Sequence, residues 1–252
     1  MNYAFAFAFA FAFTYRRRNE MGAPGQSSGT ATLYADDSWS SASHSISTVN
    51  WRANYRHDLP GNVKDRATWI AFNLPVGTVM TLTDEIPPFR EGAVSDLMRG
   101  TGRLVDLIGT GKTETVDLVA SNMNDCASTF MWRTVDIGAG RIELYEDINY
   151  GGNRTVIFLG EWPQTQWPNG HSMAEWYVND RTSSAKFVLP ANRMCQLCKN
   201  VNSQEDTAYS LGVYKSSDFS DFRNVKTVRD YGLNDCVSSF LWSETRPGIL
   251  FR

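Results

Sequence analysis

The chain has 252 residues, of which 42% are hydrophobic and 20% are charged. This length and composition predict a folded protein of one large domain or two ordinary ones, and they exclude a disordered chain. The 24 Lys and Arg residues nearly balance the 27 Asp and Glu residues, so the composition provides no general attraction to nucleic acid or to an anionic membrane.

The N-terminal segment alternates Ala and Phe from Ala4 to Phe13, ahead of a basic cluster at residues 16–18. Strict period two is the pattern of a β-strand, with phenylalanines on one face and alanines on the other. The run is shorter than the roughly 20 residues of a membrane-spanning helix, and its basic cluster follows the apolar residues instead of preceding them as in a secretory signal. We expect no membrane span but a β-type arm that adds a strand to its own sheet or a neighbour's; the alternative is a frayed tail.

Four short segments repeat along the rest of the chain. Their aspartates are separated by 60, 55 and 55 residues. The first and third segments share Asp-Arg, whereas the second and fourth share Asn-Asp-Cys, so the repeating unit is a pair of segments. This pattern predicts two homologous domains, residues 29–135 and 136–252, after an arm and linker at residues 1–28. The segments are Lys64-Asp65-Arg66-Ala67-Thr68-Trp69, Asn124-Asp125-Cys126-Ala127-Ser128-Thr129, Asn179-Asp180-Arg181-Thr182-Ser183-Ser184 and Asn234-Asp235-Cys236-Val237-Ser238-Ser239.

Each repeat has the pattern of short strands between turns. Residues 141–145 alternate in hydrophobicity, a turn-rich stretch follows at 147–153, and apolar residues resume at 155–159. Strands at this spacing predict an all-β sandwich with Greek-key connections.

One of these hairpins carries a recognisable motif. Tyr145 is followed five residues later by Tyr150 and two residues after that by Gly152, between Ile142-Glu143-Leu144 and Ile157. The arrangement resembles the signature of the βγ-crystallin superfamily, in which the aromatics pack beneath a folded hairpin and the glycine takes a backbone conformation that a side chain would obstruct.

Partial copies of this motif extend the resemblance over about residues 29–246. Two copies keep the aromatic spacing without the glycine, and the copy around residues 104–118 has lost the aromatics. The resemblance implies an all-β fold of two tandem βγ-crystallin Greek-key sandwich domains, with the N-terminal Ala-Phe β-type arm added. The two copies that keep the spacing are Tyr34 and Trp39 with Ser41, and Tyr214 and Phe219 with Asp221.

The resemblance also implies calcium at the four segments. Microbial and invertebrate members of the family carry the calcium motif (Asn/Asp)-(Asn/Asp)-x-x-(Ser/Thr)-Ser, which residues 179–184 and 234–239 match at every position. In the family, one motif supplies the carboxylate of its second residue and the main-chain carbonyl of its third residue. The partner motif supplies the hydroxyl of its fifth residue. Calcium takes six to eight oxygens, so with one carboxylate per site we expect micromolar or weaker affinity. The implied ligands of the second domain are Asp180, the Arg181 carbonyl and Ser238 at one site, and Asp235, the Cys236 carbonyl and Ser183 at the other.

The first domain departs from this pattern. Lys64 stands where Asn or Asp belongs, and Trp69 replaces the last serine. An ammonium close to a dication is repulsive, which disfavours the site that would use Asp65 and Ser128. The resemblance implies a partner site made of Asp125, the Cys126 carbonyl and the Thr68 hydroxyl. For all four turns the alternative is structural, because Asp and Ser also cap backbone amides.

Cysteine and histidine suggest no other metal centre. The chain has four cysteines and three histidines, and the C-x-x-C pair at Cys195 and Cys198 lacks the second pair of ligands that zinc requires. We expect free thiols, which favour an intracellular, storage or extrusive compartment. Residues 25–29 match G-x-S-x-G but lie in the linker, without the strand and helix of a nucleophile elbow.

The sequence therefore predicts a non-enzymatic protein that acts on no small-molecule substrate. The resemblance implies a calcium-binding structural protein, and residues 1–18 favour self-association into a matrix, coat or filament by strand addition. The alternative is a binding module on the same fold, either an inhibitor or a carbohydrate-recognition protein. Trp162, Trp167 and Trp176 are the candidates for a sugar-binding face, although packing over the sandwich explains them more simply.

Overall fold

The computed structural model describes residues 24–36, 38–84, 94, 98, 102–165, 169–200, 210–225 and 232–244. The predicted arm at residues 1–18 lies outside these residues. The described chain is almost entirely β-structure, and all its strand pairing is antiparallel and falls within residues 30–134 or within residues 141–243, which we call the first and second units. Short 3₁₀ helices lie at Ile137–Ala139, Ile148–Tyr150, Leu159–Glu161 and Phe222–Asn224.

Within the described residues, each unit contains eight strands in two four-stranded sheets. In the first unit the sheet orders are β2-β1-β4-β7 and β3-β8-β5-β6, and in the second they are β10-β9-β12-β15 and β11-β16-β13-β14. The strands of the first unit are β1 (Thr30–Tyr34), β2 (Ser43–Ser47), β3 (His57–Asp58), β4 (Trp69–Asn73), β5 (Thr78–Thr83), β6 (Leu104–Ile108), β7 (Glu114–Asp117) and β8 (Thr129–Thr134). Those of the second unit are β9 (Arg141–Tyr145), β10 (Arg154–Phe158), β11 (His171–Ser172), β12 (Ser184–Val188), β13 (Met194–Cys198), β14 (Ser210–Val213), β15 (Ser217–Phe219) and β16 (Ser239–Ser243).

The first four strands of each unit form one repeat and the last four form the next, and the two repeats exchange their third strand. In the first unit β3 pairs with β8 of the following repeat, and β7 pairs with β4 of the preceding one. The second unit repeats this exchange with β11 and β15. Each sheet therefore contains strands of both repeats, and a unit is complete only when both repeats are present.

Buried apolar side chains fill the space between the two sheets of each unit. The core of the first unit includes Leu33, Ile70 and Phe130, and that of the second includes Leu144, Phe187 and Phe240. This is the all-β, two-sandwich architecture that the repeat pattern predicts. The strand residue Glu143 is also buried. Its carboxylate accepts hydrogen bonds from Arg141 Nε and the Tyr145 hydroxyl, both at 2.7 Å, which compensate for the loss of water.

The predicted hairpin packing is present in the first and third repeats. The rings of Tyr34 and Trp39 are 4.9 Å apart, and those of Tyr145 and Tyr150 are 5.5 Å apart. Gly152 has a φ of +71°, and a Cβ at this position would lie 2.7 Å from a carboxylate oxygen of Asp147. Glycine is therefore required at the position that the motif assigns to it.

The predicted alignment of the second and fourth repeats is wrong by one strand. The first hairpin of the second repeat joins β5 to β6, and that of the fourth repeat joins β13 to β14. The predicted hairpins instead run from β6 to β7 (residues 104–118) and from β14 to β15 (Tyr214 to Phe219), and in both cases the two strands belong to different sheets. The Tyr145 carbonyl, at the end of β9, accepts the Ser183 N–H, and the Cys198 carbonyl, at the end of β13, accepts the Ser238 N–H. Cys198 is therefore the counterpart of Tyr145. Tyr214 therefore kept the aromatic spacing without occupying the equivalent place.

The two units contact each other along β6 and β10. The side-chain amide of Asn153 donates to the Leu104 carbonyl at 2.8 Å, and the Arg154 guanidinium donates to the Asp106 carbonyl at 2.6 Å. The Val156 N–H donates to the Asp106 carboxylate at 3.2 Å. Side chains thus link two strands that each lie at the edge of their own sheet.

A group of buried charges continues this contact. The carboxylate of Asp106 is completely buried, accepts the Thr81 hydroxyl at 2.5 Å and lies 3.9 Å from the Arg133 guanidinium. Arg133, which is 2% exposed, also donates to Glu161 of the second unit at 2.6 Å. We call Asp106, Arg133 and Glu161 the interdomain charge cluster.

Candidate calcium turns

The four repeated segments form four turns of the same backbone geometry. We name each turn by its aspartate: Asp65, Asp125, Asp180 and Asp235. These aspartates have φ values of +52° to +54°, in the left-handed region that Asp tolerates better than most residues. The N–H of the following residue donates to a carbonyl three residues back, at 3.2 Å in all four turns, which closes each turn on itself.

Backbone hydrogen bonds cross between the two turns of each unit. The Asp180 N–H donates to the Val237 carbonyl at 3.1 Å, and the Asp235 N–H donates to the Thr182 carbonyl at 3.0 Å. In the first unit the corresponding distances are 2.9 Å from the Asp65 N–H to the Ala127 carbonyl and 3.1 Å from the Asp125 N–H to the Ala67 carbonyl. Each carboxylate is therefore carried by a backbone that is fixed from both sides.

The second unit brings together the side chains that the sequence pairs. The Ser238 hydroxyl donates to Asp180 Oδ1 at 2.7 Å, and the Ser183 hydroxyl donates to Asp235 Oδ1 at 3.1 Å. The predicted carbonyls of Arg181 and Cys236 follow these aspartates within the same closed turns. Both Asp–Ser pairs of the second unit thus lie across the seam between its two turns.

In the first unit only one of the two predicted carboxylate–hydroxyl pairs is in contact. The Ser128 hydroxyl donates to Asp65 Oδ1 at 2.5 Å, in the turn where the charge of Lys64 disfavours a cation. The Thr68 hydroxyl donates instead to the Ala35 carbonyl at 3.5 Å, and the Asp125 carboxylate accepts the amide of Asn124 at 2.7 Å. Thr68 and Asp125 are therefore not hydrogen-bonded to each other.

Sequence reasoning missed the oxygen that follows the first strand of a repeat. The Asp84 carbonyl lies 3.2 Å from the Ser128 hydroxyl oxygen, and the Ala35 carbonyl occupies the equivalent place beside Thr68. The Cys126 carbonyl is 3.4 Å from the same Ser128 oxygen. The Cys126 carbonyl was predicted, whereas the Asp84 carbonyl could be found only by matching the repeats strand by strand, which the misplaced second hairpin prevented.

Arg103 is a further residue that the sequence did not single out. Its guanidinium donates to an Asp84 carboxylate oxygen at 2.8 Å, to the Asn122 carbonyl at 2.7 Å and to Cys126 Sγ at 3.2 Å. The hydrogen bond to Asp84 raises the pKa of Arg103 above its ordinary value, despite partial burial. Arg103 therefore fastens the Asp125 turn to the residue that follows β5.

The donor chemistry of these turns suits a hard cation. Among the described residues, no three His, Cys, Asp or Glu side chains converge as a metal-binding group. A cation here would be held by one carboxylate together with hydroxyl and carbonyl oxygens, which are calcium ligands, and water would complete the shell. The four cysteines are free thiols; Cys195 and Cys198 are buried in the second unit.

The aromatic residues considered for a sugar-binding face are buried where the structure describes them. Trp162 and Trp176 are each 7% exposed and pack with Phe240; Trp167 lies outside the described residues. The equivalent Trp132 and Trp242 each donate their indole N–H to a backbone carbonyl of another tryptophan in the same unit. These residues support the sandwich rather than offering a binding surface.

Solved structures similar to this chain are βγ-crystallin domains. One, from work on the evolution of the eye-lens fold, is 22% identical and covers 43% of this chain and 89% of its own, with a TM-score of 0.30. A βγ-crystallin of Ciona intestinalis is 15% identical over 41% of this chain and 100% of its own, with a TM-score of 0.29. A βγ-crystallin domain of Clostridium beijerinckii is 18% identical over 41% and 98%, with a TM-score of 0.27.

The chain has the tandem Greek-key topology that the βγ-crystallin resemblance implies. This statement rests on the exchanged third strands and the crossed turns of the chain itself. No protein-family model matches the chain, and no curated protein matches it. In the described part of the chain, no helix is long and apolar enough to cross a membrane.

Proposed function

We propose that the chain is a non-enzymatic structural protein that binds calcium, chiefly through the turns of its second unit. The observation that carries this proposal is the reciprocal pair of contacts in that unit, Ser238 with Asp180 and Ser183 with Asp235. Each pair places a carboxylate oxygen and a hydroxyl oxygen from different turns at one point. A cation bound there would join the two turns.

Calcium would act by stabilising the folded unit. The contacts join residues 52 and 58 positions apart in the chain, so an unfolded chain does not keep these oxygens together. A ligand that binds only the folded state stabilises it by RT ln(1+[Ca]/Kd), which is about 2.7 kcal/mol at a hundredfold excess over Kd. The protein would thus be most stable where calcium is abundant.

The test is thermal unfolding of the full chain in excess calcium and in chelator, with magnesium as a second cation. We expect a calcium-specific rise in the melting temperature that the Asp180→Ala/Asp235→Ala variant lacks. Asp218→Ala is the matched control, because Asp218 is an exposed aspartate of the same unit outside the turns. An equal rise in the double variant, or no rise in the parent chain at millimolar calcium, contradicts the proposal.

The N-terminal arm supplies the structural part of the proposal, self-association by strand addition. Residues 4–13 alternate Ala and Phe, and a strand with one aromatic face gains from pairing with a sheet in water. In this role the arm of one molecule would extend a sheet of another, building a matrix, coat or filament.

Deleting residues 1–20 tests this role. We expect both units to remain folded and the assembly to disappear, as measured by sedimentation and by circular dichroism. A full-length chain with serine at Phe5, Phe7, Phe9, Phe11 and Phe13 separates the aromatic face from mere length. A deletion variant that forms the same oligomer as the full chain overturns the assembly role.

A further inference from the structure

The residue before each aspartate binds the carboxylate in three of the four turns. The side-chain nitrogen of Asn124 donates to Asp125 Oδ2 at 2.7 Å, that of Asn179 to Asp180 Oδ2 at 3.1 Å, and that of Asn234 to Asp235 Oδ2 at 2.6 Å. In the second unit the other oxygen, Oδ1, accepts the serine of the partner turn. The two oxygens therefore have separate partners, Oδ2 within its own turn and Oδ1 across the seam.

The orientation of these asparagine side chains follows from charge. Their oxygens, Oδ1 of Asn124, Asn179 and Asn234, are buried and have no hydrogen-bond partner among the described residues. Turning the amide over would satisfy no carboxylate and would place this oxygen against an anion. The crossed N–H bonds already hold the backbone of each aspartate. The motion that remains is rotation of the carboxylate, and the asparagine amide restricts it.

The Asp65 turn provides a natural comparison, since only its first residue departs from this arrangement around the aspartate. Asp65 has the same φ of +52°, its N–H crosses to the Ala127 carbonyl, and its Oδ1 accepts the Ser128 hydroxyl. Lys64 stands in place of asparagine, and within the described part of the chain its ammonium makes no hydrogen bond or ion pair. Asp65 Oδ2 consequently lacks the amide donor that the other three aspartates have.

We propose that Asn179 and Asn234 are positioning residues that bind Oδ2 and so restrict rotation of the carboxylate while Oδ1 faces the partner turn and its cation. Asp65 reaches Ser128 without this amide, and we infer that it binds calcium more weakly because its carboxylate keeps that rotation. This inference rests on the proposed calcium function and assigns a role to residues that contribute no ligand atom of their own. Groups that orient a metal ligand typically change metal affinity by about 10–100-fold when removed.

The sharpest test adds the missing amide. Lys64→Asn in the full chain should strengthen calcium binding at the Asp65–Ser128 pair at least tenfold, seen by isothermal titration as one additional site or one tighter site. Lys64→Met is the matched variant, because it removes the ammonium without adding a donor. If Lys64→Met gains as much affinity as Lys64→Asn, charge repulsion alone explains the difference and the positioning role is overturned.

The converse test removes an existing amide. Asn234→Leu, which keeps a similar shape, should weaken calcium binding at the Asp235–Ser183 pair about tenfold. Asn224→Leu is its control: Asn224 also donates to a carboxylate, that of Asp221 at 3.0 Å, but outside the calcium turns. Equal calcium affinities of the two variants overturn the positioning role.

A calcium-free measurement separates this inference from the proposed function. If the parent chain binds no calcium, the function fails, and a double-mutant cycle of Asn234→Leu and Asp235→Asn in chelator still tests the positioning. The amide and the carboxylate should be coupled, so the double variant should lose less stability than the two single variants together. Additive losses would overturn the inference whatever the calcium result.

Discussion

The seam within each unit and the contact between the units are built in different ways. Within a unit, two turns cross with the same backbone bonds, and the pattern occurs in both units. Between the units, the contact combines hydrogen bonds of β6 and β10 with the interdomain charge cluster, in which Asp106, Arg133 and Glu161 are largely buried. The first arrangement distributes oxygens around a point where a cation would fit, whereas the second already contains its own cation, the Arg133 guanidinium.

The carboxylates between the units and those in the turns have partners of different charge. A buried carboxylate needs a positive partner, and Arg133 supplies one to both Asp106 and Glu161. The carboxylates of the turns are more exposed and are held by serine and asparagine, which carry no charge. The turns are therefore suited to gaining a cation from solution, and the interdomain contact is not.

The largest expected effect concerns the contact between the units. Arg133→Met removes the positive charge and leaves the buried Asp106 carboxylate and the largely buried Glu161 carboxylate without a cationic partner, which should cost about 3–5 kcal/mol of unfolding free energy. Urea unfolding measures it. Arg223→Met is the comparison, since Arg223 forms an exposed ion pair with Asp221, and it should change stability little. Similar midpoints for the two variants would show that the charge cluster does not stabilise the contact.

A smaller effect is expected from a single calcium turn. Asp235→Asn should remove the calcium contribution of one site, about 2.7 kcal/mol at a hundredfold excess over Kd, because an amide oxygen replaces a carboxylate oxygen. Asp125→Asn should lose less, since Asp125 is not hydrogen-bonded to its predicted partner Thr68. Melting curves with and without calcium give both values. Equal losses would mean that the two units bind calcium alike.

The smallest effect is a difference in pH dependence between the buried Glu143 and the largely buried Glu161. Burial raises the pKa of Glu161, with the charge of Asp106 adding and that of Arg133 opposing. Burial acts in the same direction on Glu143, but hydrogen bonds from Tyr145 and Arg141 outweigh it and lower the pKa of Glu143.

The pKa shifts of Glu161 and Glu143 therefore make stability depend on pH in opposite directions. The contribution of Glu161 is complete below its unfolded pKa and is lost as pH rises through its folded pKa, whereas that of Glu143 is present above the unfolded pKa and is lost as pH falls through the folded one. Glu161→Gln should therefore flatten the loss of stability on raising the pH, and Glu143→Gln the loss on acidification. Melting temperatures across the acid range measure both slopes; the same change of slope in both variants would contradict this assignment.

Features that recur along the chain could be predicted from the sequence. The spacing of the four aspartates indicated two paired turns, and the Tyr145–Tyr150–Gly152 pattern indicated a folded hairpin, because in each case the same physical demand selects the same residue types more than once. The second and fourth hairpins could not be placed in this way. Their first strands end at Thr83 and Cys198, where no aromatic marks the position.

Features that occur once had no pattern to reveal them. Asp106 lies in a short apolar strand and resembles an exposed strand residue until β10 of the other unit covers it. The contact of Ser128 with Asp65 was likewise not deducible from composition, since the charge of Lys64 argued against a cation there but does not prevent the hydrogen bond. Sequence spacing fixes which residues share a turn, whereas their side-chain partners depend on packing between segments far apart in the chain.

The exchange of third strands also sets an order for folding during synthesis. The sheet that contains β1, β2 and β4 gains its fourth strand only when β7 has been made, 44 residues after the end of β4. At about 5–20 residues per second this interval lasts roughly 2–9 s, during which the outer side of β4 is unpaired. The first repeat therefore waits for the second on the ribosome, and a nascent chain stalled in this interval would expose strand β4 to other chains.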